Sequence, residues 1–369
     1  MRILLINPGM GIGGAERVVS LLAPALQKNS DVSVELLIVG NRQSSAKQTE
    51  APVDVRVTWI PCSRTLFGMA AVLRHIVAGD YDVVISNQRH LNVLVALLFV
   101  PLSIFGAKVR LIVVEHEVTN FVPVVSASMV NRFLEKLTPW TYRAASAVVV
   151  LTEAQATVLR SSWPMLATRV HVIWNPVVTE GFNISDHLEI GARDSNLVVV
   201  VGRLVPVKDI RLAIAAFAFA SRKRALRMII VGDGPEMASL KEFSAACEVF
   251  NRIEFIGSVQ DPSKYYKMAG ILLQTSLTES LPNVLIEAMS FGCGVVAVDC
   301  PFGPRVILDH GRLGSLVASR RPEDIGTEII NQLENPIDEG LLKTSAQRFA
   351  VGAAANSYLE LSKKIVRTR

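Results

Sequence analysis

The sequence predicts an α/β fold of two doubly wound, parallel-sheet domains in tandem. Short runs rich in Val and Ile alternate with helix-length segments along the chain, the pattern of βαβ units whose strands are buried on both faces. The alternation breaks once, over a polar stretch, and then restarts. A length of 369 residues also exceeds what one hydrophobic core usually serves.

Taken in order, the first set of strands is expected at residues 2–7, 34–39, 55–60, 83–86, 109–114, 147–151 and 170–174. Residues 179–196 (TEGFNISDHLEIGARDSN) carry glycine and acidic residues with no continuous apolar face, and read as a linker. Strands resume at 197–201, 227–231, 253–256, 271–274 and 295–298. The predicted domains are therefore 1–178 and 197–344, with a C-terminal helix at about 345–369 packing back on the first. Open α/β sheets bind ligands outside the carboxyl ends of their strands, so two such domains facing one another would share a central cleft.

Composition narrows the function. Half the residues are hydrophobic and 19% are charged, which excludes disorder. The net charge of +5 is scattered, with local clusters at Arg222, Lys223 and Arg224 and at Lys363, Lys364, Arg367 and Arg369. A nucleic-acid binder concentrates its basic residues on one face, so no nucleic-acid partner is expected. A mildly basic surface does suit anionic lipid or phosphate. The four cysteines, Cys62, Cys247, Cys293 and Cys300, form no CxxC pair and read as reduced thiols of a cytoplasmic protein. No export signal is expected at the N-terminus. The apolar stretch 91–107 spans 17 residues, short of the roughly 20 that cross a bilayer, and reads as a core helix followed by a turn.

Four segments can carry chemistry. The first strand runs into Asn7-Pro8-Gly9-Met10-Gly11-Ile12-Gly13-Gly14-Ala15-Glu16-Arg17 and then a helical pattern. Glycines there allow a tight turn and close approach to a phosphate, whose charge the helix N-terminus favours. Gly9, Gly11 and Gly14 match GxGxxG, but the second strand ends in Gly40-Asn41-Arg42 rather than an acidic residue, so an NADP-dependent oxidoreductase stays open as an alternative. The second domain opens with Gly202-Arg203-Leu204-Val205-Pro206-Val207-Lys208-Asp209, which delivers two cations at a strand end, suited to a diphosphate gaining charge as it leaves. Asp209 is the expected cap of the following helix. Glu279-Ser280-Leu281-Pro282-Asn283-Val284-Leu285-Ile286-Glu287 reads as a turn into a helix, whose first amides form an anion site. Glu287 could accept hydrogen bonds from vicinal hydroxyls such as those of a ribose, with Glu279 nearer a sugar. Val114-Glu115-His116 places His116 at a sheet edge. There is no His/Cys/Asp cluster with metal-ligand spacing and no GxSxG, so no metal and no acyl-transfer chemistry is expected.

Together these motifs resemble family 4 glycosyltransferases of the GT-B fold, with two Rossmann-like domains, over nearly the whole chain. The matching pieces are GGAER (Gly13 to Arg17), VEH (Val114 to His116), WNPV (Trp174 to Val177), GRLVPVKD (Gly202 to Asp209), GDGPE (Gly232 to Glu236), FIG (Phe255 to Gly257) and ESLPNVLIEAMSFG (Glu279 to Gly292). The glutamates separated by seven residues match the family's E-x7-E signature, and Cys300 to Arg305 resembles its CPxGPRE segment, with Val306 in place of the final Glu. The resemblance implies a retaining, metal-independent transfer from a nucleotide diphosphate-sugar, preferably UDP-linked, with no cofactor. It implies that Arg203 and Lys208 hold the diphosphate, Glu287 the ribose and Glu279 the sugar. Leu281, Pro282, Asn283 and Val284 would form the anion turn, Gly257 and Val259 would meet the base, and Gly13 and Gly14 would flank the diphosphate. His116 would touch the transferred sugar. Ser280-Leu281-Pro282-Asn283 stands where the family often has Gly-Phe-Gly, which leaves the sugar's identity open. Glu279, His116, Arg203 and Lys208 are thus the expected catalytic set.

Relatives of this kind often build surface polysaccharides or lipid-linked oligosaccharides. The acceptor would then be a glycan or a polyprenyl diphosphate-linked saccharide at the inner face of the plasma membrane. Residues 129–143, with Met129, Phe133 and Leu137 on one face beside Arg132, Lys136 and Arg143, fit either an interfacial helix or a core-facing one. Loops 42–53 and 120–127 are expected to shape the acceptor pocket.

Overall fold

In a computed structural model, residues 1–10, 13–40, 54–104, 108–116, 136–179 and 193–367 are described. The expected acceptor loops, residues 180–192 of the expected linker and residues 129–135 of the amphipathic 129–143 segment lie outside these residues; the last three linker residues, 194–196, instead begin a strand expected only from 197, because they pair in the sheet. The chain forms two compact units, Met1–Thr179 with Val351–Arg369, and Glu180–Ala350.

The first unit carries β1 (Arg2–Asn7), β2 (Ser33–Val39), β3 (Arg56–Ile60), β4 (Val83–Asn87), β5 (Arg110–Glu115), β6 (Ala147–Val150) and β7 (Val170–Val172). They form one parallel sheet in the order β3-β2-β1-β4-β5-β6-β7. Ile3 to Ile6 of β1 and Val83 to Ile85 of β4 have no exposed surface, as strands covered on both faces must. The helices are α1 (Gly14–Gln27), α2 (Thr65–Ala78), α3 (Arg89–Ile104), α4, whose described part is 136–141, and α5 (Glu153–Ser162). α3 buries Leu91, Val93, Val95, Ala96 and Phe99 against the sheet, which is why the apolar stretch 91–107 begins as a core helix. No described helix is long and apolar enough to cross a membrane.

The second unit carries β8 (Asp194–Val201), β9 (Arg227–Val231), β10 (Ile253–Gly257), β11 (Ala269–Gln274), β12 (Gly294–Val298) and β13 (Ser315–Val317), parallel in the order β10-β9-β8-β11-β12-β13. Its helices are α6 (Ile210–Ser221), α7 (Met237–Ala246), α8 (Ser263–Met268), α9 (Asn283–Ser290), α10 (Gly303–Ile307), α11 (Pro322–Glu334) and α12 (Glu339–Ala346). Phe217 of α6 and Ile325 and Ile329 of α11 fill one face of this sheet with Val198, Ile230 and Leu273. The last helix, α13 (Val351–Arg367), returns to the first unit, where Tyr358, Leu359 and Ile365 join the core formed by Val19, Leu22 and Leu26 of α1.

Both sheets wind outward from their first strand. The chain adds β2 and β3 on one side of β1 and then crosses to place β4 on the other. In the second unit β9 and β10 lie on one side of β8 and β11 on the other. The reversal points fall between β1 and β4 and between β8 and β11, where turns diverge and leave room for a ligand. The glycine turn after β1 and the cationic turn after β8 therefore stand at the two places the topology reserves for binding.

Candidate active site

The turn after β8 folds back onto the turn after β11. Leu277 donates its backbone N-H to the Val207 carbonyl at 2.8 Å, and Thr275 Oγ1 lies 2.8 Å from the Asp209 carbonyl and 3.3 Å from that of Lys208. This brings Lys208 Nζ to 2.5 Å from Glu279 Oε1, which also accepts from Ser276 Oγ at 2.7 Å. The carboxylate is 13% exposed and the lysine 26%, so the pair is only partly screened by water. Arg203, from the same turn, is exposed, and its guanidinium has no partner among the described residues. Asp209 caps α6 by accepting from the Leu212 amide at 3.4 Å, and does so in a left-handed conformation, φ 44°. Non-glycine residues adopt that conformation only when their surroundings hold them there.

What holds Asp209 is a residue that no sequence motif marks. Arg320, beyond β13, donates from Nη2 to Asp209 Oδ2 at 2.6 Å and to the Thr275 carbonyl at 2.8 Å, and from Nη1 to the Ser276 carbonyl at 3.1 Å. Its partner Asp209 is 111 positions away, so no local pattern could reveal the contact.

Glu279 is also fixed from the other side. It forms an isolated parallel bridge with Phe302, and its carbonyl accepts from the Gly303 amide at 3.0 Å. A Cβ at Gly303 would sit 2.7 Å from the Ser280 carbonyl, so only glycine lets the 300–303 turn pack this closely. Beside it, burial and the nearby Glu279 push the Cys300 thiol up to about 12.

α9 begins at Asn283 with Pro282 at its cap, and Leu281 and Pro282 are buried. Pro282 has no N-H, so within the expected anion turn it can shape the backbone but cannot donate. Glu287 lies in the second turn, buried, and accepts from Tyr266 Oη of α8 at 2.7 Å. The Tyr266 ring stacks on Phe291 with centroids 6.0 Å apart. Glu287 is therefore a positioned carboxylate, and Tyr266 is a second residue that sequence reasoning missed. Gly257 ends β10 with φ 79°, its carbonyl accepting from the Gly232 amide at 2.9 Å, and Val259 follows half-buried.

In the first unit, Gly13 caps α1 and Gly14 opens it. A Cβ at Gly13 would collide with the Glu16 carboxylate, which lies over the turn. Glu16 Oε1 accepts from Gln88 Nε2 at 3.1 Å, tying the glycine turn to the start of α3, where Gln88 is left-handed (φ 71°). The next residue, Arg89, reaches Glu115 through Nε at 3.2 Å and Nη2 at 3.0 Å, and Glu115 also accepts from Tyr142 Oη at 2.9 Å. Glu115 has no exposed surface and ends β5, so this network fixes the strand end from which half-buried His116 projects. Burial and the Glu115 charge raise the Tyr142 hydroxyl well above its usual range, so it stays a donor. Among the described residues, no group of three or more His, Cys, Asp or Glu side chains could hold a metal ion.

The structure thus brings Lys208 and Glu279 into contact at one reversal point. It places Arg203 on the same turn and sets Leu281 to Val284 and Glu287 on the turn and helix that follow. Gly13, Gly14 and His116 stand at the carboxyl edge of the other sheet.

Two such sheets, each with a charged or glycine-rich turn at its reversal point, are the architecture of a GT-B enzyme. Superposition agrees: HepE of Anabaena, crystallised with UDP-glucose, matches with a TM-score of 0.76 at 20% identity over 99% of this chain and 100% of that one. Sucrose-phosphate synthase of Thermosynechococcus elongatus matches at 0.77 and 18% identity, covering 100% of both chains. The fold class is therefore GT-B.

Within that class the chain belongs to glycosyltransferase family 4. The family model "Glycosyltransferase Family 4" matches residues 12–180, and that of "Glycosyl transferases group 1" matches residues 186–349. The amylovoran biosynthesis glycosyltransferase AmsD of Erwinia amylovora is 30% identical over 90% of this chain and 89% of its own length. An N-acetylgalactosamine-N,N'-diacetylbacillosaminyl-diphospho-undecaprenol 4-alpha-N-acetylgalactosaminyltransferase of Campylobacter jejuni is 25% identical over 84% of this chain and 83% of its own. The NADP-dependent oxidoreductase alternative finds no support among these proteins.

Proposed function

We propose that the protein transfers a hexose or N-acetylhexosamine from a UDP-sugar, with retention of configuration and without a metal ion, to a glycan or polyprenyl diphosphate-linked saccharide at the inner membrane face. The observation that carries the donor assignment is the Lys208–Glu279 contact at the β8/β11 reversal point, followed directly by the turn into α9 and the oriented Glu287.

In this reading Arg203 and Lys208 neutralise the diphosphate as its charge grows, which lowers the barrier to departure of the leaving group. Glu287, held by Tyr266, accepts from the ribose hydroxyls. Glu279, already bonded to Lys208 and Ser276, holds a sugar hydroxyl or stabilises developing charge rather than forming a covalent intermediate. The acceptor attacks from the face the diphosphate leaves, and the diphosphate takes its proton. The names of relatives support the substrate classes. AmsD serves amylovoran biosynthesis, and the Campylobacter enzyme makes an α-linkage on a diphospho-undecaprenol saccharide. An α-product is what retention from an α-linked nucleotide sugar gives.

The test is binding and turnover in EDTA. UDP is expected to raise the melting temperature without divalent metal, GDP, ADP and NADPH to do so less, and Arg203→Ala/Lys208→Ala to abolish the UDP shift. NMR of the transferred sugar should show the donor's anomeric configuration. Stabilisation by NADPH alone, equal in wild type and double variant, would overturn the reading, and an inverted product would overturn its mechanism.

A further inference from the structure

The donor-site reading leaves Arg320 unused, yet three hydrogen bonds join this side chain to both turns that build the site. It grips the Asp209 carboxylate on one turn and the Thr275 and Ser276 carbonyls on the other. Asp209 follows Lys208 directly, and Ser276 Oγ shares Glu279 Oε1 with Lys208 Nζ. Every contact of Arg320 is therefore one step from a member of the Lys208–Glu279 pair.

The geometry points to Arg320 as a positioning residue for donor binding: it locks the left-handed Asp209 against the β11 turn and so fixes where the Lys208 ammonium stands relative to the departing diphosphate. A planar guanidinium suits this task because its fixed fork of donors can serve a carboxylate and two carbonyls together, which an ammonium on a flexible stem does less well. Without it, two backbone carbonyls lose a donor, and Asp209 loses the countercharge that offsets a strained backbone. Thr275 Oγ1, 2.8 Å from the Asp209 carbonyl, forms a further side-chain tie between the same turns. Arg320 acts through Lys208 rather than on the nucleotide.

This inference rests on Lys208 binding the diphosphate, and its test separates the two claims. UDP affinity is measured by titration calorimetry on the full chain for wild type, Arg320→Ala, Arg320→Lys, Lys208→Ala and Arg320→Ala/Lys208→Ala, with melting curves as a folding control. Arg320→Ala is expected to weaken UDP about tenfold, Arg320→Lys to recover part of that, and the double variant to bind no more weakly than Lys208→Ala alone. Such non-additivity is the mark of action through Lys208, which a general loss of stability does not produce. If the two losses multiply, or if Arg320→Ala binds UDP like wild type, the inference falls while the donor site stands. If Lys208→Ala itself binds like wild type, the donor-site reading falls and takes the inference with it. Should Arg320→Ala fail to fold, Thr275→Val replaces it in the same cycle. It is expected to weaken UDP about threefold, again without adding to Lys208→Ala; an additive loss, or none, overturns the inference.

Discussion

Replacing Lys208 by alanine removes the only side-chain cation within bonding distance of Glu279 among the described residues and leaves a carboxylate that is 13% exposed. Breaking a fully buried pair costs roughly 3–5 kcal/mol, whereas an exposed pair is worth about 0–1 kcal/mol. The lysine is 26% exposed and Ser276 still donates to Glu279 after the change, so the loss should fall between these limits, at about 2 kcal/mol. For a unit of this size that lowers the melting temperature by about 4–8 °C. The control is Lys208→Met/Glu279→Gln, which removes both charges and keeps the bulk. It should melt several degrees above Lys208→Ala, because the uncompensated charge is gone. Thermal unfolding followed by circular dichroism at neutral pH reads both changes. An unchanged melting temperature in Lys208→Ala, or no recovery in the double variant, would refute the claim that Glu279 depends on Lys208 for its countercharge. The same single variant should bind UDP about 10- to 150-fold more weakly, the worth of one charge-assisted hydrogen bond.

Three further outcomes follow from groups outside the proposed donor site. Gln274 ends β11 at 6% exposure with neither amide atom hydrogen-bonded, so Gln274→Leu should stabilise the protein by about 1 kcal/mol, seen as a higher melting temperature. Burial would by itself raise the Glu35 carboxyl. Hydrogen bonds from Thr58 at 2.7 Å and Tyr81 at 2.7 Å, together with His75 and Arg56, more than reverse this, and it lies below its usual 4.5. A depressed folded value means its contribution is complete above about pH 4.5 and is lost as pH falls through the folded value, so Glu35→Gln should flatten the acid limb of a stability–pH curve. Wild-type and variant curves that stay parallel below pH 4.5 would contradict this. Burial pushes the thiols of Cys293 and Cys300 up to about 12, so native protein at pH 8 should alkylate at neither, while unfolded protein alkylates at both, read by mass spectrometry of peptides.

Much of the fold was legible because period and composition are local properties. The strand expected at 227–231 has those bounds in the structure, and 34–39 and 83–86 differ by one residue at one end. β13 was missed because Ser315–Val317 offers only Leu316 and Val317 as large apolar residues, too short a run to read as a strand. Among the candidate site residues, Lys208, Glu279 and Glu287 could be marked because each stands in a dense motif beside a strand end or helix start. Tyr266 and Arg320 could not. Tyr266 lies in Ser263–Met268, a six-residue helix with no motif, and Arg320 in an ordinary Arg-Arg-Pro helix approach. Pro282 shows the converse limit. Its place in the expected anion turn was legible, yet its missing N-H confines it to shaping the backbone.

The sequence alone determined the α/β class, the parallel sheets, the placement of the cationic and glycine turns after strands, and the family. All of these follow from the alternation of buried apolar runs with turn chemistry, or from motif order. Tertiary structure decided which charges meet. Lys208 reaches Glu279 across 71 positions because β8 and β11 lie side by side at the reversal of their sheet, Tyr266 reaches Glu287 across 21 because α8 packs on α9, and Arg320 reaches Asp209 across 111 from the turn beyond β13. A strand's neighbours are chosen by the packing of the whole sheet and not by its own residues, and that is why the partners of these side chains had to be seen in three dimensions.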